Sequence, residues 1–272
     1  MCQECGCGLG GGEVRIGGSP HEYVSSEVGD APHGPGRGHA HGPSHGEGGV
    51  TVALHRSLLE KNDRIAERNR GFFQAKKLLV LNVVSAPGSG KTTLIRETAA
   101  RLAGRLRVGV ITGDLATDHD AARLRELGIP VVQVTTGTLC HLDAEMVARA
   151  AAQLDLDQLD LLVIENVGNL VCPADFDLGE TLRVVLLSVT EGEDKPLKYP
   201  PLFHSADVAV VTKVDLGKAA EFDRDLALAN LRRVSHHAKL FEVSAKTAQG
   251  LDAWLDFLVA AHAHQRPYHS PK

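Results

Sequence analysis

Short aliphatic runs separated by helix-length stretches constrain this chain most. From residue 77 onward, Leu78–Val84, Arg107–Thr112, Val131–Thr135, Leu161–Glu165, Leu182–Val189, Val208–Thr212 and Leu240–Val243 are nearly continuous in Val, Leu and Ile. A strand with one wet face alternates apolar with polar residues. A strand covered on both faces does not, so these runs read as strands flanked by helices. Helices are expected at 91–104, 117–127, 142–154, 221–235 and 251–264. Strand–helix alternation of this kind argues an α/β domain with a mostly parallel central sheet. Aromatic residues are only 4% of the chain, so the core must be aliphatic. Ligands of such sheets bind beyond the carboxyl ends of the strands.

Residues 1–49 do not join that core. They hold 15 of the 28 glycines and are too poor in apolar residues to bury one. Residues 1–12 form a Cys/Gly head and 13–49 a Gly/Pro/His linker, expected to be disordered without a ligand. The expected division is therefore a leader over 1–49 and a folded domain over 50–272. Residues 54–74 read as a helix with Leu54, Leu58, Ile65 and Phe72 in one stripe. The stripe suits packing on its own domain, the favoured reading, or docking to a partner.

Composition excludes several classes. Net charge is −5 with no long Lys/Arg run, which disfavours nucleic-acid binding. No apolar run approaches the roughly 18–20 residues of a membrane helix. The start, Met1-Cys2-Gln3-Glu4-Cys5, has neither the basic nor the apolar region of a secretory signal, so a cytoplasmic protein is expected. Structural disulfides are then unfavoured, and the five cysteines read as metal or redox groups.

The first strand runs into Ser85-Ala-Pro-Gly88-Ser89-Gly90-Lys91-Thr92-Thr93 and then a helix. This is a phosphate-binding loop (P-loop) with Ser85 at the usual first glycine. Gly88 and Gly90 let backbone amides approach phosphate, and the helix N-terminus adds favourable partial charge. Lys91 is expected on the β- and γ-phosphates and the Thr92 hydroxyl on Mg²⁺. Downstream, Thr212-Lys213-Val214-Asp215 resembles the guanine motif N-K-x-D. One carboxylate, Asp215, can accept both the ring N–H and the exocyclic amine of guanine, whereas adenine presents an acceptor. That favours GTP over ATP, with Lys213 stacking on the base and Ser244-Ala245-Lys246 facing its carbonyl. Glu165-Asn166-Val167-Gly168 resembles the D-x-x-G segment of GTPases: Glu165 on the Mg²⁺ side, the Gly168 N–H toward the γ-phosphate. Asp114 is a second Mg²⁺-side candidate, with Asp118 and Asp120 as rivals. No Gln follows Gly168 to orient water, so slow intrinsic hydrolysis is expected, with about 1 s⁻¹ as an upper bound.

Soft ligands fall in two groups. Cys140-His141 and Cys172 offer two thiolates and an imidazole, suited to Zn²⁺ or Ni²⁺. Cys172 lies seven residues after Glu165 and four after Gly168, so metal bound there would respond to the γ-phosphate, and reciprocally. Cys2-x-x-Cys5-Gly6-Cys7 gathers three thiols near a terminus whose freed amine can act as a fourth ligand, favouring Ni²⁺; a disulfide or a zinc knuckle is the alternative. His21, His33, His39, His41 and His45 can hold ions loosely or merely sit in a spacer.

The ordered set resembles the hydrogenase nickel-incorporation GTPases (the HypB family), metallochaperones of [NiFe]-hydrogenase maturation. The likeness runs from Cys2-x-x-Cys5-Gly-Cys7 through Leu59–Arg64, Pro87–Thr93, Gly113-Asp114 with Asp120–Arg123, Cys140-His141, Glu165–Leu170 and Cys172-Pro173 to Thr212–Asp215. It implies a P-loop GTPase domain, a high-affinity nickel site at Cys2, Cys5 and Cys7, and a weaker nickel or zinc site at Cys140, His141 and Cys172. It also implies a GTP-favoured homodimer, partnership with a HypA-type nickel chaperone, and delivery of Ni²⁺ to the hydrogenase large-subunit precursor. Histidine-rich leaders in some members are associated with nickel storage. Competing readings are a nickel or zinc storage protein, or a sister metallochaperone GTPase for another metalloenzyme.

Overall fold

The computed structural model describes residues 15–16, 47–115 and 119–265. The described strands are β1 (Arg15–Ile16), β2 (Leu79–Val84), β3 (Val108–Asp114), β4 (Val131–Thr135), β5 (Leu161–Glu165), β6 (Leu182–Ser188), β7 (Val208–Thr212) and β8 (Lys239–Val243). They form one sheet in the order β1-β4-β3-β5-β2-β6-β7-β8. From β2 to β8 every pairing is parallel, as the aliphatic runs predict. The described helices are α1 (Glu47–Ala75), α2 (Lys91–Leu102), α3 (His119–Arg125), α4 (Ala144–Ala151), α5 (Lys195–Lys198), α6 (Pro200–His204), α7 (Arg224–Val234) and α8 (Leu251–Gln265). No helix among the described residues is long and apolar enough to cross a membrane.

The sheet is covered on both faces. Leu79, Leu81 and Val83 of β2 cluster with Leu94, Ile95 and Leu102 of α2 and with Trp254 and Leu258 of α8. Val80, pointing the other way, clusters with Phe73 of α1 and with Met146 and Val147 of α4. Val185 and Leu187 of β6 join Leu202 and Phe203 of α6 and Leu228 and Leu231 of α7. The one tryptophan donates its indole N–H to the Thr98 hydroxyl at 3.0 Å. Helices α5 and α6 were not expected from periodicity: each is about one turn and opens at a proline, too short for a 3.6-residue repeat to register.

Two expectations need correction. Arg15–Ile16, assigned to the disordered linker, pairs antiparallel with Val134 and Thr135 of β4. Ile16 packs against the α1/α4 side of the core, and the short strand covers an otherwise open edge. Helix α1, longer than the expected 54–74, packs on its own domain as favoured, but through a different face. Asn62, Ala66, Asn69 and Phe73 are buried, whereas Leu58 is 50% and Phe72 48% exposed. Phe73 joins the apolar core, while the two amides meet backbone that α1 lies against. Asn62 Nδ2 donates to the Asp177 carbonyl (2.8 Å) and its Oδ1 accepts the Ala144 N–H (2.9 Å). Asn69 donates to the carbonyls of Ala144 (2.8 Å) and Leu178 (3.2 Å). The approach is close enough to require Gly179: a Cβ there would sit 2.6 Å from the Ala66 carbonyl oxygen.

Candidate nucleotide and metal site

The sheet order decides which motifs meet. β5 is inserted between β2 and β3, with Glu165 in register with Val83 on one side and Thr112 on the other. The carboxylate that ends β5 therefore lands beside the loop that follows β2. Its Oε1 accepts the Thr92 hydroxyl at 2.6 Å, and its Oε2 the Thr112 hydroxyl at 3.4 Å. Glu165 and Thr92, far apart in sequence, thus present adjacent oxygen donors.

The loop itself is built as its glycines demand. Gly88 (φ 74°) and Gly90 (φ 95°) occupy the left-handed region, where a side chain is strained. Lys91 is buried, and its ammonium donates to the Ser85 hydroxyl at 3.0 Å. The departure from the usual first glycine therefore supplies a polar partner for the loop lysine. Thr212 Oγ1 donates to the Ser89 carbonyl at 2.8 Å, and Lys213 Nζ to the Gly88 carbonyl at 2.7 Å. Both bonds tie the loop after β7 to the phosphate loop. Lys213 is itself left-handed (φ 58°), an uncommon and costly conformation for a non-glycine residue that fits a functional turn.

Two cavities adjoin across these residues. One, of about 230 Å³, is lined by Ser89, Gly90, Thr93, Lys213, Asp215, Ala245 and Lys246, among others. The other, of about 520 Å³, is lined by Gly88, Lys91, Thr92, Asp114, Arg123, Glu165 and Gly168, among others. Gly90, Thr93 and Lys213 line both. The first is lined by Lys213, Asp215, Ala245 and Lys246, the residues expected at the base. The second gathers the Mg²⁺-side candidates with the loop lysine. Ser244 is the exception: it is fully buried and its hydroxyl accepts the Thr247 N–H at 3.1 Å, so it shapes the turn while Ala245 and Lys246 form the wall. Arg123 and Leu115, given no site role from sequence, also line the larger cavity. Asp118 lies outside the described residues, and Asp120 is placed only as part of α3.

The soft ligands converge as well. The ligand atoms of Cys140, His141 and Cys172 all lie within 4.8 Å of one another, and all three residues are half-buried. Neither cysteine is in a disulfide. Cys140-His141 sits between β4 and α4, whose N-terminus is capped by Asp143 accepting the Met146 N–H at 2.7 Å. Cys172 opens a turn of 3₁₀ helix, Cys172–Asp175. The His141 ring stacks on Phe176 with centroids 3.9 Å apart. Burial lowers the His141 pKa from its ordinary value against the pull of Asp143 and Asp175, which favours the neutral, coordinating imidazole. Cys2, Cys5, Cys7, His21, His33, His39, His41 and His45 lie outside the described residues.

The polar residues between these sites carried little signal in the sequence. Asn82, in the middle of the aliphatic strand β2, is fully buried, and Asn166, Glu180 and Arg183 are nearly so. A lone amide inside an aliphatic run, and an acid and an arginine three residues apart where β6 begins, are the traces they leave.

A parallel sheet with a P-loop after β2 and two cavities adjoining across that loop, beside three soft ligand atoms close enough to share an ion, defines the class of P-loop nucleotide-binding proteins. Residues 79–242 match the family model for "CobW/HypB/UreG, nucleotide-binding domain". The hydrogenase maturation factor HypB of Azotobacter chroococcum mcd 1 is 52% identical, over 83% of this chain and 73% of its own. That of Escherichia coli (strain K12) is 44% identical, over 95% of this chain and 98% of its own. Among solved structures, HypB from Helicobacter pylori in complex with nickel superposes with a TM-score of 0.72 at 38% identity, covering 78% of this chain and 100% of that one. The chain belongs to the HypB family.

Proposed function

We propose that this chain is a GTP-hydrolysing nickel metallochaperone that serves [NiFe]-hydrogenase maturation. The observation that carries the reading is the Cys140–His141–Cys172 cluster, whose Cys172 lies on the segment that continues from Glu165–Gly168 at the phosphate-side cavity. Support outside the chain comes from the nickel complex of the Helicobacter pylori relative.

In this reading GTP spans both cavities. Asp215 accepts the two adjacent donors of guanine, Lys213 covers the base, and Ala245 and Lys246 close the pocket wall. The backbone of Gly88, Ser89, Gly90 and Thr93 and the Lys91 ammonium hold the phosphates. Thr92, Glu165 and Asp114 are hard oxygen donors that fit Mg²⁺, which would supply charge neutralisation on the β- and γ-phosphates. Gly168 offers its N–H to the γ-phosphate, so its position differs between GTP and GDP states. Two thiolates and a neutral imidazole suit Ni²⁺ or Zn²⁺ as cargo and leave a coordination position open. Cys2, Cys5 and Cys7 form the tight nickel site, with His33, His39, His41 and His45 as a loose reserve. The leader (1–49) thus loads metal while the domain (50–272) switches. A GTP-favoured homodimer, a HypA-type chaperone and the hydrogenase large-subunit precursor complete the cycle in the cytoplasm.

The test is nickel and zinc titration of the nucleotide-free, GDP and GTP-analogue forms, with oligomeric state followed in parallel. The reading requires the affinity of the Cys140–His141–Cys172 site to differ between the GDP and GTP-analogue forms. Equal affinities in all three, with an unchanged oligomeric state, would overturn it.

A further inference from the structure

A continuous run of buried side-chain hydrogen bonds starts beside His141, ends on the turn that Cys172 opens, and passes through the residue after Glu165. Asn166 Oδ1 accepts the N–H of Leu142, next to His141, at 3.1 Å, and that of Val167 at 2.9 Å. Asn166 Nδ2 donates to Asn82 Oδ1 at 3.2 Å, and Asn82 Nδ2 donates to Glu180 Oε1 at 3.1 Å. Glu180 Oε1 also accepts Arg183 Nε at 2.9 Å, while its Oε2 accepts the Leu178 N–H at 2.8 Å. Arg183 then donates to the carbonyls of Ala174 (3.1 Å) and Phe176 (2.8 Å) and to Ser205 Oγ (3.2 Å). Ala174 and Phe176 lie two and four residues after Cys172, and Phe176 is the residue stacked on His141.

The direction of every bond is dictated by chemistry at the two ends. Two backbone N–H groups can only meet the oxygen of the Asn166 amide, so its nitrogen must face Asn82. Asn82 then meets Asn166 with its oxygen and turns its own nitrogen to a carboxylate. Neither amide can flip alone without setting donor against donor or acceptor against acceptor in a site closed to water. Asn82 is 0% and Asn166 1% exposed, so a broken link is costly and the chain responds as a unit. Burial alone would raise the Glu180 pKa, but Arg183, the Asn82 amide and the Leu178 N–H outweigh it and hold the carboxylate ionised.

We propose that Asn82 and Arg183 are positioning residues that transmit movement of Glu165–Gly168 to both arms of the metal cluster, setting the spacing between Cys140-His141 and Cys172. The proposal rests on the nucleotide and metal reading above. It adds that the dependence of metal affinity on nucleotide runs through this core rather than through the direct chain connection from Gly168 to Cys172.

The test compares Ni²⁺ affinity in the GDP and GTP-analogue forms of the full chain, by competition with a chromophoric chelator. A Cys172→Ser chain reports the leader's contribution. The variants are Asn82→Leu, nearly isosteric but without the amide, and Arg183→Lys, which cannot bond Glu180, Ala174, Phe176 and Ser205 at once. Wild type is expected to show an affinity ratio between nucleotide forms within about 5–150, the usual span of allosteric coupling. In both variants the ratio should fall to within about two-fold of one, while each nucleotide still binds. A folded variant that keeps the wild-type ratio overturns the relay and leaves the metallochaperone reading standing. A wild-type ratio of one overturns both. Trp254 fluorescence on melting reports folding; if Asn82→Leu does not fold, Arg183→Lys decides alone, from the opposite end of the chain.

Discussion

Adding one methyl group at Gly168 tests the geometry on which the switch depends. The backbone there is not in the left-handed region, so Gly168→Ala introduces no dihedral strain. Its consequence is steric: the new Cβ would lie 3.0 Å from Pro87 Cα, 3.1 Å from Pro87 N and 3.2 Å from Pro87 Cγ. Carbon atoms rest at about 3.5–4.0 Å, so the overlap is roughly 0.5 Å and falls on backbone of the phosphate loop. Pro87 cannot relieve it by rotating about φ, which its ring fixes. Either the phosphate loop or the 165–168 segment must shift by a few tenths of an ångström. Overpacking of this kind costs about 1–3 kcal/mol. If the native loop geometry is what binds phosphate, nucleotide affinity should fall by roughly 5- to 150-fold, one decade per 1.4 kcal/mol. The GTP analogue should lose more than GDP, because Gly168 faces the γ-phosphate in the proposed site. Titration with fluorescent GDP and GTP analogues, alongside a thermal melt, reads both effects. A Gly168→Ala chain that binds both nucleotides within two-fold of wild type and melts unchanged would refute the packing of Gly168 on Pro87 and its place at the phosphates.

Three further outcomes are expected. Asp215→Asn replaces two acceptor oxygens with one acceptor and one donor, setting N–H against N–H at guanine; GTP affinity should drop by about 100-fold or more while the fold is kept. Calorimetric titration checks this, and near-wild-type affinity would remove Asp215 from base recognition. Thr98→Val leaves the buried Trp254 indole N–H without its acceptor and should cost about 1–3 kcal/mol, read by chemical denaturation through Trp254 fluorescence; no loss of stability would contradict the bond. Asp160 accepts from the Arg107 side chain and backbone, joining the starts of β3 and β5. The Arg107 side-chain bond, against some burial, holds the Asp160 pKa below its ordinary value. A carboxylate depressed in the folded state stabilises fully above the unfolded value, near 3.9, and loses that contribution as pH falls through the folded value. Asp160→Asn should thus be less stable than wild type at neutral pH, with the gap closing below about pH 4. A gap independent of pH down to acid unfolding would be inconsistent with the pair.

What the sequence determined is what short-range chemistry determines. Uninterrupted Val, Leu and Ile forced strands covered on both faces, and all seven runs after residue 77 are strands of the parallel sheet. Gly88, Gly90, Lys91 and Thr92 announced a phosphate loop because that loop is contiguous in sequence. The soft ligands were legible by type, and the family resemblance grouped Cys140, His141 and Cys172, but only the fold shows their ligand atoms within 4.8 Å of one another.

The tertiary structure alone decided how contiguous pieces meet, because sheet order is a long-range property. Inserting β5 between β2 and β3 is what brings Glu165 to the Thr92 hydroxyl. The face α1 buries was misread for the same reason. Periodicity counts apolar side chains, and α1 packs through Asn62 and Asn69 against the backbone of segments far away in sequence. Asn82 is the sharpest case. In the sequence it is a single polar interruption of an aliphatic run; in the fold it is the buried link between Asn166 and Glu180, since only the packed interior withholds the water that would otherwise satisfy its amide.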